Sequence, residues 1–304
     1  IDSTSNLITA VAQGGNGVIW FTTLEEGLGR VEPSTGRITR FQHDPKDPKS
    51  LPTNELNHVF VVDEDLLVLS SRSQGAIWFD VPDQRFTKRG YVQPVLDANG
   101  DTTRHAHQTW CHGVFRIDEH RLWLSMIRGG PVIVDARTGE LLRNVAECDP
   151  PVGLTHAVRD GDHLVAGGWN TGLQRVPLTN EGPSTCVPLD EEVTAILPWE
   201  RTELLVGTKL HGIVRLTKDG HELQRFRHDR RDASSLGNDH VRCMMRDRAG
   251  NLWVGTAAGL SVHAPSVWRF EAIPLLDEQV PGDLVAYRID QERDGIIRVS
   301  ASAG

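Results

Sequence analysis

Apolar and polar positions alternate in short runs along the whole chain, and no run keeps a helical period for long. Clusters of Val, Ile, Leu, Phe and Trp are broken repeatedly by Gly, Pro, Asn and Asp. That punctuation predicts many short strands joined by tight turns. The clearest unit is DRAGNLWVGTAAGL, Asp247–Leu260, which reads as a turn, an apolar strand, a short loop and a glycine opening the next strand. Weaker copies are GVIWFTTLEEGLGRV from Gly17, LLVLSSRSQGAIWFD from Leu66, RLWLSMIRGGPVIVD from Arg121, HLVAGGWNTGLQRV from His163 and ELLVGTKLHGIVRL from Glu203. The strand-opening glycines Gly27, Gly75, Gly130, Gly172, Gly212, Gly259 and Gly304 recur at intervals of 40 to 55 residues.

A period of this size means one supersecondary unit per repeat, and four-stranded propeller blades have this length. The expectation is therefore an all-β fold, a seven-bladed β-propeller of four-stranded antiparallel blades in one domain spanning 1–304. The blades are expected near 8–41, 57–90, 112–145, 155–188, 193–226 and 241–271, with a partial seventh at 284–304. In the sixth repeat, Val241–Met245 reads as inner strand A, Asn251–Thr256 as B, Leu260–His263 as C and Val267–Glu271 as D. Trp20, Trp123 and Trp253 hold equivalent places on strand B and are expected to pack between blades. The seventh repeat stops after strand B, which would expose a sheet edge. The natural polypeptide is therefore expected to continue beyond Gly304 and to begin before Ile1.

Charge narrows the partners. The chain has 32 Lys and Arg against 41 Asp and Glu, a net charge of −9. Phosphate binding needs a basic field, so no nucleic-acid partner is expected. No run of about 18 apolar residues occurs, so a membrane would be reached only through a segment outside this chain. The four cysteines, Cys111, Cys148, Cys186 and Cys243, form no CxxC pair and read as partly buried thiols rather than a disulfide framework. Cys148–Cys186 is the single pairing entertained, and the spacing leaves it open.

Two linkers share a second signature. HDPKDPKSLPTNEL from His43 is echoed by HDRRDASSLGNDHV from His228. Together with the Asp247–Leu260 core, these linkers resemble the two-component regulator propeller family, strongly in repeats one, two and six and more weakly in three to five. The resemblance implies a periplasmic sensor domain of a hybrid histidine kinase or diguanylate cyclase receptor, often with a carbohydrate ligand, and a homodimer as the signalling form. Asp44, Asp47, Asp229 and Asp232 in these linkers read as turn formers, because Asp bonds its own backbone two residues on.

Propeller topology puts the D–A and B–C loops on one face. The candidate ligand-binding residues there are Arg72, Gln74, Trp110, His112, Arg128, Trp169, Asn170, Lys209, His211 and His240. The aromatics would stack on a sugar ring, and Arg72, Arg128 and Lys209 would bind hydroxyls or an acid group. The long linker Val92–Thr109 adds Arg104, His105 and His107. His105 and His107 are two apart and His112 follows, but no third ligand at a diagnostic spacing appears, so no metal and no cofactor are expected. No GxSxG, GxxxxGK[ST] or GxGxxG motif occurs, and no catalytic residues are assigned. Two other functions are weighed against the sensor. The first repeat resembles a blade of the streptogramin lyases, seven-bladed enzymes that open a cyclic ester using a histidine base and magnesium. The WFT phrase occurs once, however, and the HDP linkers do not belong to that family. The other alternative is a protein-interaction scaffold.

Overall fold

A computed structural model describes residues 7–89, 95–96, 102–103, 110–126, 130–146, 148, 154–169, 172–179, 182–263, 269–273, 284–292 and 294–303. It is built from strands, with one short 3₁₀ turn at Gly15–Gly17. Among the described residues no helix is long and apolar enough to cross a membrane. The chain divides into two compact units, 1–147 with 153–155 and 148–152 with 156–304.

In the first unit, β1 (Ile8–Gln13), β2 (Ile19–Thr23), β3 (Leu28–Glu32) and β4 (Arg37–Phe41) form one antiparallel sheet. β5 (Leu56–Asp63), β6 (Leu66–Ser71), β7 (Ala76–Asp80) and β8 (Arg85–Arg89) form the second. The pair β9 (Val95–Leu96) and β10 (Thr102–Thr103) follows, and then the sheet of β11 (Cys111–Arg116), β12 (Arg121–Met126), β13 (Val132–Asp135) and β14 (Leu141–Asn144). The other unit repeats the plan with β15 (Leu154–Asp160), β16 (His163–Gly168), β17 (Leu173–Pro177) and β18 (Thr185–Val187), followed by β19 (Val193–Pro198), β20 (Glu203–Thr208), β21 (Ile213–Thr217) and β22 (Glu222–Phe226). The sixth four-stranded sheet is β23 (Val241–Arg246), β24 (Leu252–Thr256), β25 (Gly259–His263) and β26 (Phe270–Ile273). The last, β27 (Leu284–Gln291) and β28 (Ile297–Ala303), has two strands. Each sheet pairs its strands in chain order. Strand D of the sixth repeat thus runs from Phe270, later than the expected Val267, and residues 264–268 lie outside the described set.

Cores lie between successive sheets. In the first unit, Trp20, Leu28 and Leu51 meet Leu56, Leu67 and Phe79, and Val68 and Trp78 meet Leu122, Leu124 and Val134. In the second, Val165 and Leu173 meet Val193, Leu204 and Val206, while Leu205 and Ile213 meet Val241, Leu252 and Val254. Strands β6 and β20 are buried on both faces because each packs against both neighbouring sheets, which is why their sequences read as unbroken apolar runs. Trp20 and Trp123 are buried as expected. Trp253 is only half-buried, and its indole N–H donates to the Asp247 carboxylate at 2.8 Å. The deepest tryptophan besides Trp123 is Trp78, on strand C of the second repeat.

The cysteines correct one expectation. Cys148 and Cys186 are disulfide-bonded. Cys111 and Cys243 are free, and burial pushes both thiols up to about 12, so neither is a reactive nucleophile at neutral pH.

Candidate functional site

The turn between strands B and C is built by a repeated hydroxyl clamp. Thr23, Ser71, Thr208 and Thr256 close strand B, and their hydroxyls donate to the carbonyls of Gly27, Gly75, Gly212 and Gly259 at 2.9–3.0 Å. The glycine is required by sterics. At Gly212, with φ +73°, a Cβ would lie 2.0 Å from the Phe226 carbonyl oxygen.

The same turns are tied to the D–A loops. The amides of Leu24, Arg72, Lys209 and Ala257 donate to the carbonyls of Leu7, Glu55, Glu192 and His240, at 3.0–3.4 Å. Within each of these sheets the B–C loop and the end of the D–A loop therefore share one end.

The two HDP linkers are folded by one hydrogen-bond set, formed independently in each copy. The amide of Asp44 donates to Ser50 Oγ and that of Asp229 to Ser235 Oγ, both at 2.9 Å. Asp44, Asp47, Asp229 and Asp232 each accept the amide two residues on, at 2.8–2.9 Å, as expected of turn formers. His43 Nδ1 meets the Leu51 carbonyl at 2.7 Å and His228 Nδ1 that of Leu236 at 2.8 Å. Leu51 and Leu236 are buried, so the loop is pinned to the core at its end. The linker motif is thus a structural clip. Ser235→Ala and Ser50→Ala should each lower stability by about 1 kcal/mol, one net hydrogen bond, in denaturant melts.

Just inside this end, six inner strands carry a bulge among the described residues. The register skips Thr9, Asn57, His112, Thr194 and Arg242, each one residue past the first paired position, and Tyr287, three residues past it. Bulges re-aim side chains and recur beside functional sites. Several of these residues bond the next inner strand: Thr9 Oγ1 donates to the Leu56 carbonyl at 2.9 Å, Asn57 Nδ2 to that of Cys111 at 3.2 Å and Thr194 Oγ1 to that of Val241 at 2.6 Å. Of the bulge residues, only His112 was among the sequence candidates. The signal for Asn57, Thr194 and Arg242 is their place directly after the buried Leu56, Val193 and Val241 that start their strands.

In the first unit the structure brings Arg72, Trp110 and His112 together. The Arg72 guanidinium lies 5.3 Å from the Trp110 ring centroid, and Gln74 follows in the same turn, its amide bonded to Ser71 Oγ at 2.9 Å. Burial lowers the pKa of His112 and Arg72 lowers it further, against a hydrogen bond to the Thr155 backbone. In the second unit, Lys209 pairs with Glu192 at 2.8 Å and His211 Nδ1 lies 3.3 Å from Glu191, which also pairs with Arg225. Lys209 is thus already neutralised by its own loop partner. His240 is lowered by burial, then by Arg242 and Lys209, with Glu192 opposing. Trp169 is 40% exposed. Arg104, His105, His107, Arg128 and Asn170 lie outside the described residues.

These histidines give the fold a pH dependence. His112, His240 and His263 all have folded pKa values below the ordinary 6.5. A depressed histidine is protonated more readily in the unfolded chain. Its stabilising effect is complete above about 6.5 and is lost as pH falls through 6.5 toward the folded values. Asp118, Asp135 and Asp247 are held below the usual carboxylate range, so their contributions persist until pH falls below about 3.9. Melting temperature should therefore drop between pH 7.5 and 5, and His112→Gln should flatten that slope.

Among curated proteins, none matches the chain. Residues 235–258, which hold the end of the second HDP linker and the following core, match the family described as two component regulator propeller. Solved structures match over nearly the whole chain. The extracellular domain of a putative hybrid two component system from B. thetaiotaomicron has a TM-score of 0.57 at 16% identity, covering 99% of this chain and 51% of that one. The chain thus spans about half of that structure's length. A catalytically inactive virginiamycin B lyase from Staphylococcus aureus, solved with quinupristin, has a TM-score of 0.70 at 12% identity, covering 99% and 94%. A chain of the mitotic checkpoint complex has a TM-score of 0.67 at 14% identity, covering 98% and 83%. At these identities the likeness is one of fold. Residues 235–258 thus carry a two component regulator propeller repeat, in an all-β chain whose repeated four-stranded sheets share the fold of these propeller structures.

Proposed function

We propose that residues 1–304 act together as the extracytoplasmic ligand-sensing propeller of a bacterial signal-transduction receptor, with no catalytic step of its own. The family match at residues 235–258 carries this reading. The periplasm, as the outer part of an inner-membrane protein, suits the Cys148–Cys186 bond, since structural disulfides persist in oxidising compartments. The ligand is a carbohydrate or small anion taken by the end of the sheets where the D–A and B–C loops meet. Arg72, Trp110 and His112 supply a cation, a flat ring and a neutral imidazole there.

Calorimetric titration with neutral oligosaccharides and uronic acids tests this, repeated with Arg72→Ala and Trp110→Ala. Micromolar to millimolar binding weakened at least about tenfold by either change is expected, the loss of one charged or stacked contact. Unchanged affinity in both variants would refute the placement. A parallel incubation with quinupristin checks the lyase alternative, and a ring-opened product on chromatography would overturn the non-catalytic reading.

A further inference from the structure

We propose that the ligand is an acid, received by two arginines that the fold holds on aromatic faces without a counter-ion: Arg72 in the first unit and Arg242 in the second. This rests on the proposed sensor reading and narrows its ligand class. Arg72 stacks on Trp110 at 5.3 Å and Arg242 on Tyr287 at 5.5 Å. Other ring-stacked arginines have a second partner. Arg30 also reaches Glu32, Arg116 the carbonyls of Val61 and Val62, and Arg246 Glu200. Arg72 and Arg242 have no side-chain hydrogen bond or ion pair among the described residues.

The contrast has weight because carboxylates are plentiful. The chain carries 41 acidic residues, and the cations Lys209 and Arg227 at the same ends of their sheets are both neutralised, by Glu192 and Asp239. Arg72 begins a B–C loop and Arg242 occupies a bulge, the two kinds of position that face the loop end of a sheet. An aromatic face fixes the plane of a guanidinium while leaving its N–H edge for a partner. A carboxylate or sulfate matches that edge with two parallel charge-assisted bonds, whereas a sugar hydroxyl offers one weaker acceptor. Each arginine is a separate subsite in its own unit.

The probe is glucuronate, with glucose as the neutral control, titrated into ¹⁵N-labelled protein while the arginine Nε–H resonances are followed by NMR. The resonances of Arg72 and Arg242, assigned through Arg72→Lys and Arg242→Lys, should shift saturably with glucuronate and not with glucose. Those of the ion-paired Arg215 and Arg225 should stay in place. Arg72→Gln should weaken glucuronate binding, followed at Arg242 and at the Trp110 indole, by at least about fivefold at the Trp110 site while leaving Arg242 unaffected. Equal shifts with glucose, or arginines that ignore glucuronate, would overturn the acid assignment. If neutral oligosaccharides then moved the Trp110 indole alone, the ligand face would stand and only its acidity would fall. Silence of Trp110 and both arginines toward every sugar would count against both readings.

Discussion

Trp78→Ala should lower the unfolding free energy by about 3–5 kcal/mol, the range for truncating a fully buried aromatic. Trp78 is 0% exposed on β7 and lies in the core shared by the second and third sheets, against Val68, Leu122 and Val134. Its indole N–H donates to the Ala136 carbonyl at 2.9 Å, so truncation also strips a buried acceptor of this donor. Gly139 lies against the ring, where a Cβ would come within 3.1 Å. Trp78→Phe separates the parts: it keeps much of the apolar contact and loses the hydrogen bond, a cost of about 1 kcal/mol beyond the change in volume. Trp253→Ala should cost less than Trp78→Ala, because Trp253 is half-buried. Equal costs in urea melts would contradict the burial order.

The second large effect is the disulfide. Cys148 lies between β14 and β15, Cys186 lies on β18, and 38 positions separate them. Closing a loop of that size restricts the unfolded chain by about 2–4 kcal/mol. Replacing both cysteines by serine, or adding dithiothreitol, should lower the melting temperature accordingly. Cys111→Ser and Cys243→Ser leave the bond intact and should not alter the response to reductant. A thiol count of four in the unreduced, denatured protein would show that the bond is absent.

The sequence revealed the repeat because its turns depend on residue type at fixed spacing. Gly27, Gly75, Gly212 and Gly259 follow a clamp hydroxyl by three or four residues, and their positive φ admits little else. The linker aspartates were legible for the same reason, since each bonds its own local backbone. What depends on pairing across sheets was not legible. Trp78 resembles any apolar strand residue until its partners on the third sheet are known. The Cys148–Cys186 bond joins positions that spacing alone cannot match. Lys209 read as a ligand cation because its partner Glu192 lies 17 residues earlier, across the turn that the D–A loop makes. Arg242 was missed because a bulge cannot be distinguished from ordinary alternation in a short strand.

The most direct test of the account is hydrogen–deuterium exchange of the chain with and without a uronic-acid oligosaccharide. Binding at the loop end of the sheets should slow exchange in peptides covering 53–57, 71–75, 110–113 and 238–242. Peptides at the opposite strand ends, 63–66, 117–121 and 200–203, should be unchanged. Protection confined to those opposite turns, or no protection by either a uronic-acid or a neutral oligosaccharide, would contradict a ligand-sensing face built from the D–A and B–C loops.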